Sequence, residues 1–175
     1  MKSWLFNFLI GFSLLISAFG QIADGIYSIS PKICKRKIAA MGKNGIELNN
    51  PFVTAKKNVN DLNQRFIFQG VGNGNYVISP ETAKGTTWYC TSPFPDYDYP
   101  INLDNYGGSV YSPQHWKLHP EGDCFIIESD YFQGRVWQVM SIENEYFSGQ
   151  GIVHQEPNGL SNQVFCLKFL EPLEN

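Results

Sequence analysis

The chain is poor in groups that do covalent chemistry. It has three histidines, His115, His119 and His154, and the sequence contains no G-x-S-x-G, H-E-x-x-H or P-loop pattern. Each histidine reads as an exposed strand residue. Asp96 and Asp98, or Glu143 and Glu145, have the composition of a glycosidase acid/base pair. Two residues apart on loops, they read instead as solvated charge. These absences point away from an enzyme and imply no cofactor. N-x-S/T sequons are missing, so no N-linked glycan is expected. The paired C-x-x-C spacing of a structural zinc site is missing as well, and no metal site is expected. Beyond residue 20 no segment reaches the ~20 apolar residues that span a bilayer, and no long helical periodicity appears.

The one long apolar run, Trp4 to Phe19, follows Lys2 and ends in Ala18-Phe19-Gly20. A basic start, a short apolar stretch and a small-residue site read as a secretory signal peptide over residues 1–20, cleaved before Gln21. Residues 21–175 are then enough for a single domain with a sizeable core. Without Lys2 the chain has 12 basic residues against 16 acidic ones, a formal charge of −4. A mildly acidic chain has no general attraction for nucleic acid or anionic membrane. Four cysteines, Cys34, Cys90, Cys124 and Cys166, follow the apolar run. In a secreted chain an even number favours two disulfides, with three connectivities open.

What the chain does have is a pattern used three times. Gly25-Ile26-Tyr27-Ser28-Ile29 returns as Gly74-Asn75-Tyr76-Val77-Ile78 and, more loosely, as Asp123-Cys124-Phe125-Ile126-Ile127, with a step of 49 residues each time. A second element follows: Asn63-Gln64-Arg65-Phe66, Pro113-Gln114-His115-Trp116 and Asn162-Gln163-Val164-Phe165, whose aromatics lie 39, 40 and 40 residues after the first ones. Such self-similarity means one supersecondary unit repeated. Period-two alternation marks strands whose core faces carry Tyr27 and Ile29, Tyr76 and Ile78, Phe125 and Ile127, Phe66 and Phe68, Trp116 and Leu118, and Phe165 and Leu167. Trp88 and Trp137 each sit 12 residues after their repeat's first aromatic, where the first repeat has only Ala39. Turn signals such as Gly72-Asn73-Gly74 and Pro157-Asn158-Gly159 punctuate the runs. The expectation is an all-β chain of about a dozen short strands, which three such units close most simply as a barrel.

A repeat that opens with G-x-Y-x-I and closes with Q-x-W or Q-x-F, three times over, resembles the β-trefoil of the ricin B-type lectins, from about Asp24 to Leu170. The resemblance implies a six-stranded barrel capped by three hairpins, with repeats at approximately 24–70, 71–120 and 121–171. Cys124 and Cys166 are out of phase with Phe125 and Phe165, so they leave the sheet on the side away from the core aromatics. The resemblance makes their strands neighbours, which implies a Cys124–Cys166 disulfide and leaves Cys34 with Cys90.

In that family the sugar site resembles an Asp after the first strand, an aromatic on the hairpin and an Asn before the Q-x-W glutamine. Asn63 and Asn162 match the last position, the second repeat has Pro113 there, and no Asp stands in the D-V-x context. Gln64, Gln114 and Gln163 share parity with the core aromatics and are expected to tie down backbone. A proline-stiffened loop carries Phe94, Asp96, Tyr97, Asp98 and Tyr99, aromatics interleaved with acceptors that suit a sugar or a protein partner. A basic turn holds Lys32, Lys35, Arg36 and Lys37 around Cys34, the charge that the acidic pocket of a trypsin-like protease binds. The opening Asp24-Gly25-Ile26-Tyr27-Ser28-Ile29 is similar to fungal trefoil protease inhibitors of the mycocypin kind. The leading functional expectation is a secreted monomer that binds an extracellular glycan; the second is a trefoil inhibitor of a secreted protease acting through exposed loops.

Overall fold

The computed structural model describes residues 21–33, 37–41, 52–58, 60–89, 101–106, 113–143 and 148–173. Within them the chain forms three successive groups of four strands. The first group is β1 (Gly25–Pro31), β2 (Lys37–Met41), β3 (Phe52–Lys56) and β4 (Phe66–Gly72). The second is β5 (Asn75–Pro80), β6 (Thr86–Tyr89), β7 (Asn102–Asn105) and β8 (His115–Glu121). The third is β9 (Cys124–Ser129), β10 (Val136–Glu143), β11 (Ser148–Gln155) and β12 (Phe165–Glu171).

The outer strands of each group pair in the order β12-β1-β4-β5-β8-β9, and β12 returns to β9 with Phe165 opposite Phe125. The result is a closed six-stranded barrel, which leaves these strands no free edge. The inner strands form the hairpins β2–β3, β6–β7 and β10–β11. This is the β-trefoil that the resemblance implied.

The alternation of apolar residues places the core as expected. Tyr27, Ile29, Phe66, Phe68, Tyr76, Ile78, Trp116, Leu118, Ile127 and Phe165 belong to one buried cluster, and Phe125 and Leu167 pack against it. Trp88 and Trp137 are fully buried, and so is Ala39 at the equivalent offset of the first repeat. The first repeat therefore keeps the position and fills it with a smaller residue. Rings meet edge to face, as their quadrupoles favour: Trp116 and Trp137 at 5.1 Å between centroids, and Trp137 and Phe165 at 5.8 Å.

Threefold symmetry extends to the backbone. Lys32, Glu81 and Asp130 lie 49 residues apart, and their amides donate to the carbonyls of Val164, Arg65 and His115 at 2.8, 3.0 and 2.9 Å. The three glutamines behave as their parity suggested. Gln64 Nε2 donates to the Lys56 carbonyl at 2.9 Å, Gln114 Nε2 to that of Asn105 at 2.7 Å and Gln163 Nε2 to that of Glu156 at 2.7 Å. Gln64 Oε1 and Gln163 Oε1 also accept the Asn58 and Asn158 amides, at 2.7 and 2.8 Å. Each glutamine thus fastens the end of a hairpin to the start of a barrel strand. The β4–β5 turn needs left-handed backbone at three consecutive residues, Gly72, Asn73 and Gly74, with φ of 93°, 54° and 76°; glycine adopts it without strain and asparagine tolerates it.

One cross-strand position is filled differently in each repeat. Ile26 stands opposite Ile67, Asn75 stands opposite Lys117, and Cys124 is disulfide-bonded to Cys166 with the Cα atoms 4.2 Å apart. Cys34 and Cys90 lie outside the described residues. The expectation of exposed histidines holds only for His119. His115 and His154 are buried, at 5% and 3% exposure. His154 lies opposite Trp137 in the β10–β11 register and shares its side of the hairpin. His115 is on the outer face of the barrel, but that face is covered here: Val77 opposite it is buried too. Alternation tells one side of a strand from the other, not which side water reaches.

Two measurements test this frame. Replacing Cys124 and Cys166 together with serine is expected to lower unfolding stability by about 2–4 kcal/mol in denaturant titration; an unchanged midpoint would contradict the bridge. Gln64→Ala strands a backbone carbonyl and an amide in a partly buried joint and is expected to cost about 2 kcal/mol, with the loss read from the same titration.

Candidate functional site

The residues singled out from the sequence are unevenly placed. Phe94, Asp96, Tyr97, Asp98 and Tyr99 lie outside the described residues, in the segment that joins β6 to β7. Lys35 and Arg36 also lie outside them, between Ile33 and β2. Lys32 is exposed, with its amide held by the Val164 carbonyl, and Lys37 opens β2 opposite Lys56. Asn63 is exposed, and its backbone amide donates to Asp61 Oδ1 at 3.0 Å. Asn162 is half-buried, and its Oδ1 is buried with no hydrogen-bond partner.

Asn162 sits beside a network of amides. The single 3-10 turn Ser161–Gln163 follows the Pro157-Asn158-Gly159 bend and presents Asn162 and Gln163 in sequence. Gln163 Nε2, already bound to the Glu156 carbonyl, also donates to Gln138 Oε1 at 2.7 Å. Asn158 Nδ2 donates to the same oxygen at 2.9 Å, while Asn158 Oδ1 accepts the Leu160 amide at 2.9 Å. Asn158 and Gln163 are consequently locked at both ends of their amides. Buried polar atoms are nearly always paired, and the Asn162 oxygen is one of a few among the described residues that are not.

Symmetry breaking limits this arrangement to the third repeat. The residue equivalent to Gln138 is Ala40 in the first repeat and Tyr89 in the second. In the first repeat Gln64 Nε2 reaches Asp61 Oδ2 instead, at 3.4 Å, and in the second Pro113 removes the asparagine. Gln138 is the residue that the sequence alone did not single out. The available signal was its place next to Trp137, where the other repeats carry no amide. Its partners lie 20 and 25 residues away in the chain and leave no local trace.

The same hairpin carries His154, whose ring is tilted over Phe132 at 5.8 Å and whose two nitrogens have no hydrogen-bond partner. Burial, reinforced by the positive charge of Arg135, lowers its pKa to about 4 from the ordinary 6.5. The fold therefore accepts the neutral ring. Among the described residues no cluster of histidine, cysteine and carboxylate side chains could hold a metal ion.

No family model and no curated protein sequence matches the chain. Solved structures do. The designed threefold-symmetric protein ThreeFoil superposes with a TM-score of 0.69 at 17% identity, covering 84% of this chain and all of that one. The Polyporus squamosus lectin, bound to a human-type influenza-binding epitope, gives 0.69 at 17% identity over 86% of this chain and 50% of the lectin. The Rhizoctonia solani agglutinin gives 0.64 at 14% identity over 86% and 97%. At such identities the likeness shows the fold, which this chain shares with lectins.

The His154 environment makes a pH-dependence prediction. Stability contributed by the neutral ring is complete above pH 6.5 and is lost as pH falls toward about 4, where the folded protein itself takes up the proton; the loss amounts to about 3 kcal/mol. His154→Leu should flatten the stability profile across that window. Parallel profiles for the parent and the variant would contradict the assignment.

Proposed function

We propose that this chain is a secreted, non-catalytic carbohydrate-binding protein whose site is the amide corner of the third repeat. The single observation that carries the reading is Asn162 Oδ1, a buried acceptor without a donor on the residue that precedes Gln163 in the chain, where Gln163 and Asn158 both bond Gln138. A sugar hydroxyl is the natural donor for it. Saccharides are recognised by planar amides and carboxylates that read hydroxyls and by aromatic faces that cover the apolar side of the ring. In the sequence, Phe94, Tyr97 and Tyr99 interleaved with Asp96 and Asp98 are groups of both kinds. Comparison with lectins of the same fold supports the reading, and the apolar leader and the disulfide agree with secretion and removal of residues 1–20. The disulfide also fits an oxidising compartment.

A protease-inhibiting role is the second reading, and one observation favours it. The basic turn is rooted by the Lys32 amide on the barrel, while Lys32 and Ile33 project from it, Ile33 with 55% of its surface exposed. A root tied to the barrel with exposed cationic and apolar side chains is what an acidic specificity pocket engages, and Lys35, Arg36 and Lys37 follow in the sequence.

A glycan array followed by calorimetry on the secreted protein tests the leading reading. At least one glycan should bind, and Gln138→Ala and Asn162→Ala should each weaken it by about tenfold or more, the loss of one to two hydrogen bonds. If no glycan binds while Lys35→Ala with Arg36→Ala abolishes inhibition of a trypsin-like enzyme, the inhibitor reading replaces it. An N-terminus other than Gln21 in the intact mass of the secreted protein would correct the proposed cleavage.

A further inference from the structure

The seam between β5 and β8 is where the repeats differ most in chemistry. Where the first repeat sets Ile26 against Ile67 and the third joins Cys124 to Cys166, the second sets Asn75 against Lys117. Asn75 Nδ2 donates to Asp130 Oδ2 at 2.9 Å, and Lys117 Nζ lies 2.5 Å from Asp130 Oδ1. His115, two residues before Lys117 on the same side of β8, feels the Asp130 carboxylate as well. Asn75 and His115 are 8% and 5% exposed, yet Asn75 Oδ1 and His115 Nε2 have no hydrogen-bond partner.

The orientation of the Asn75 amide is not arbitrary. Only its nitrogen can donate to a carboxylate, so its oxygen is held away from Asp130 as a buried acceptor. Most buried polar groups are paired, because an unmet group inside a protein is costly. The other two repeats show that this position can be closed without any unmet group, by an apolar contact or by a covalent bond. The second repeat instead leaves two buried polar atoms of the barrel's outer face unpaired.

We propose that Asn75, His115, Lys117 and Asp130 form a second ligand site, on the barrel wall, for a neutral polyhydroxyl group such as the vicinal diol of a saccharide. Charge argues against an anion: Lys117 is already neutralised by Asp130, and burial lowers the pKa of His115, which favours the uncharged ring. Asn75 Oδ1 and the Asp130 oxygens accept hydroxyl protons, Lys117 donates to hydroxyl oxygens, and the neutral imidazole does one or the other. Lys117 and Asp130 retain 34% and 26% side-chain exposure, which opens the cluster to solvent on one side. The site shares no residue with the Gln138–Asn162 corner and stands independently of it.

The test is an NMR titration of the secreted protein with D-galactose, D-mannose and N-acetyl-D-glucosamine, following the His115 ring and the Asn75 side-chain amide. At least one sugar should shift both saturably. Asn75→Leu and Lys117→Ala should each weaken that titration about tenfold, and Asn162→Ala should leave it unchanged. Lys117→Ala alters a partly exposed side chain and carries the test if Asn75→Leu does not fold. The proposal is overturned if no sugar moves these signals, if shifts are confined to Gln138 and Asn162, or if Lys117→Ala leaves the titration unaltered. Loss of corner binding alone bears on the proposed function and not on this site.

Discussion

The joint between each hairpin and the barrel depends on a glutamine. Gln64, Gln114 and Gln163 each stand two residues before a core aromatic and donate to a carbonyl at the end of the preceding hairpin. Without that bond a buried amide and a hairpin end would both lack partners, and the cap would have no fixed height above the barrel. The aromatic that follows, Phe66, Trp116 or Phe165, is driven inward by burial. Its position is set by the backbone that the glutamine holds. Hydrophobic burial supplies the bulk of the driving force, which is non-directional; the amide supplies direction.

A scaffold fastened three times in the same way can tolerate variation elsewhere. The variation is concentrated at two kinds of place. At the hairpin feet, the third repeat adds an amide from β10, Gln138, to the glutamine joint, and the Asn162 oxygen that precedes it is unmet. At the cross-strand position outside the core, the repeats use two isoleucines, a polar cluster and a disulfide in turn. Each of the latter solves the same packing problem with different chemistry. The polar solution is the one that leaves hydrogen-bonding capacity to spare.

The core was legible because burial follows chain parity. Tyr27 with Ile29, Tyr76 with Ile78 and Phe66 with Phe68 could be assigned to one side from alternation alone, and the 49-residue step carried the assignment to the other repeats. Gln64 and its equivalents were legible for the same reason. The binding candidates were legible only in part: Asn162 came from its place before the glutamine, whereas Gln138 acquires meaning from partners beyond the local pattern. His115 and His154 were misread, because alternation does not say whether the outer side of a strand is covered. Asn75 carried no signal at all, since its partner Asp130 lies 55 residues away.

The two ends of the domain lie together, since β1 and β12 run antiparallel with Ile26 opposite Glu171 and Pro31 opposite Phe165. Tension applied to the two ends would therefore open this pair like a zipper, one hydrogen bond at a time, rather than shear all its bonds at once. The opening would advance along β12 to Cys166. There the covalent link to Cys124, 42 residues earlier in the chain, carries the load past the third repeat, including its amide corner, and shields it from the pull. The bonds of Gln138, Asn158 and Gln163 would outlast the peeling of the first strand.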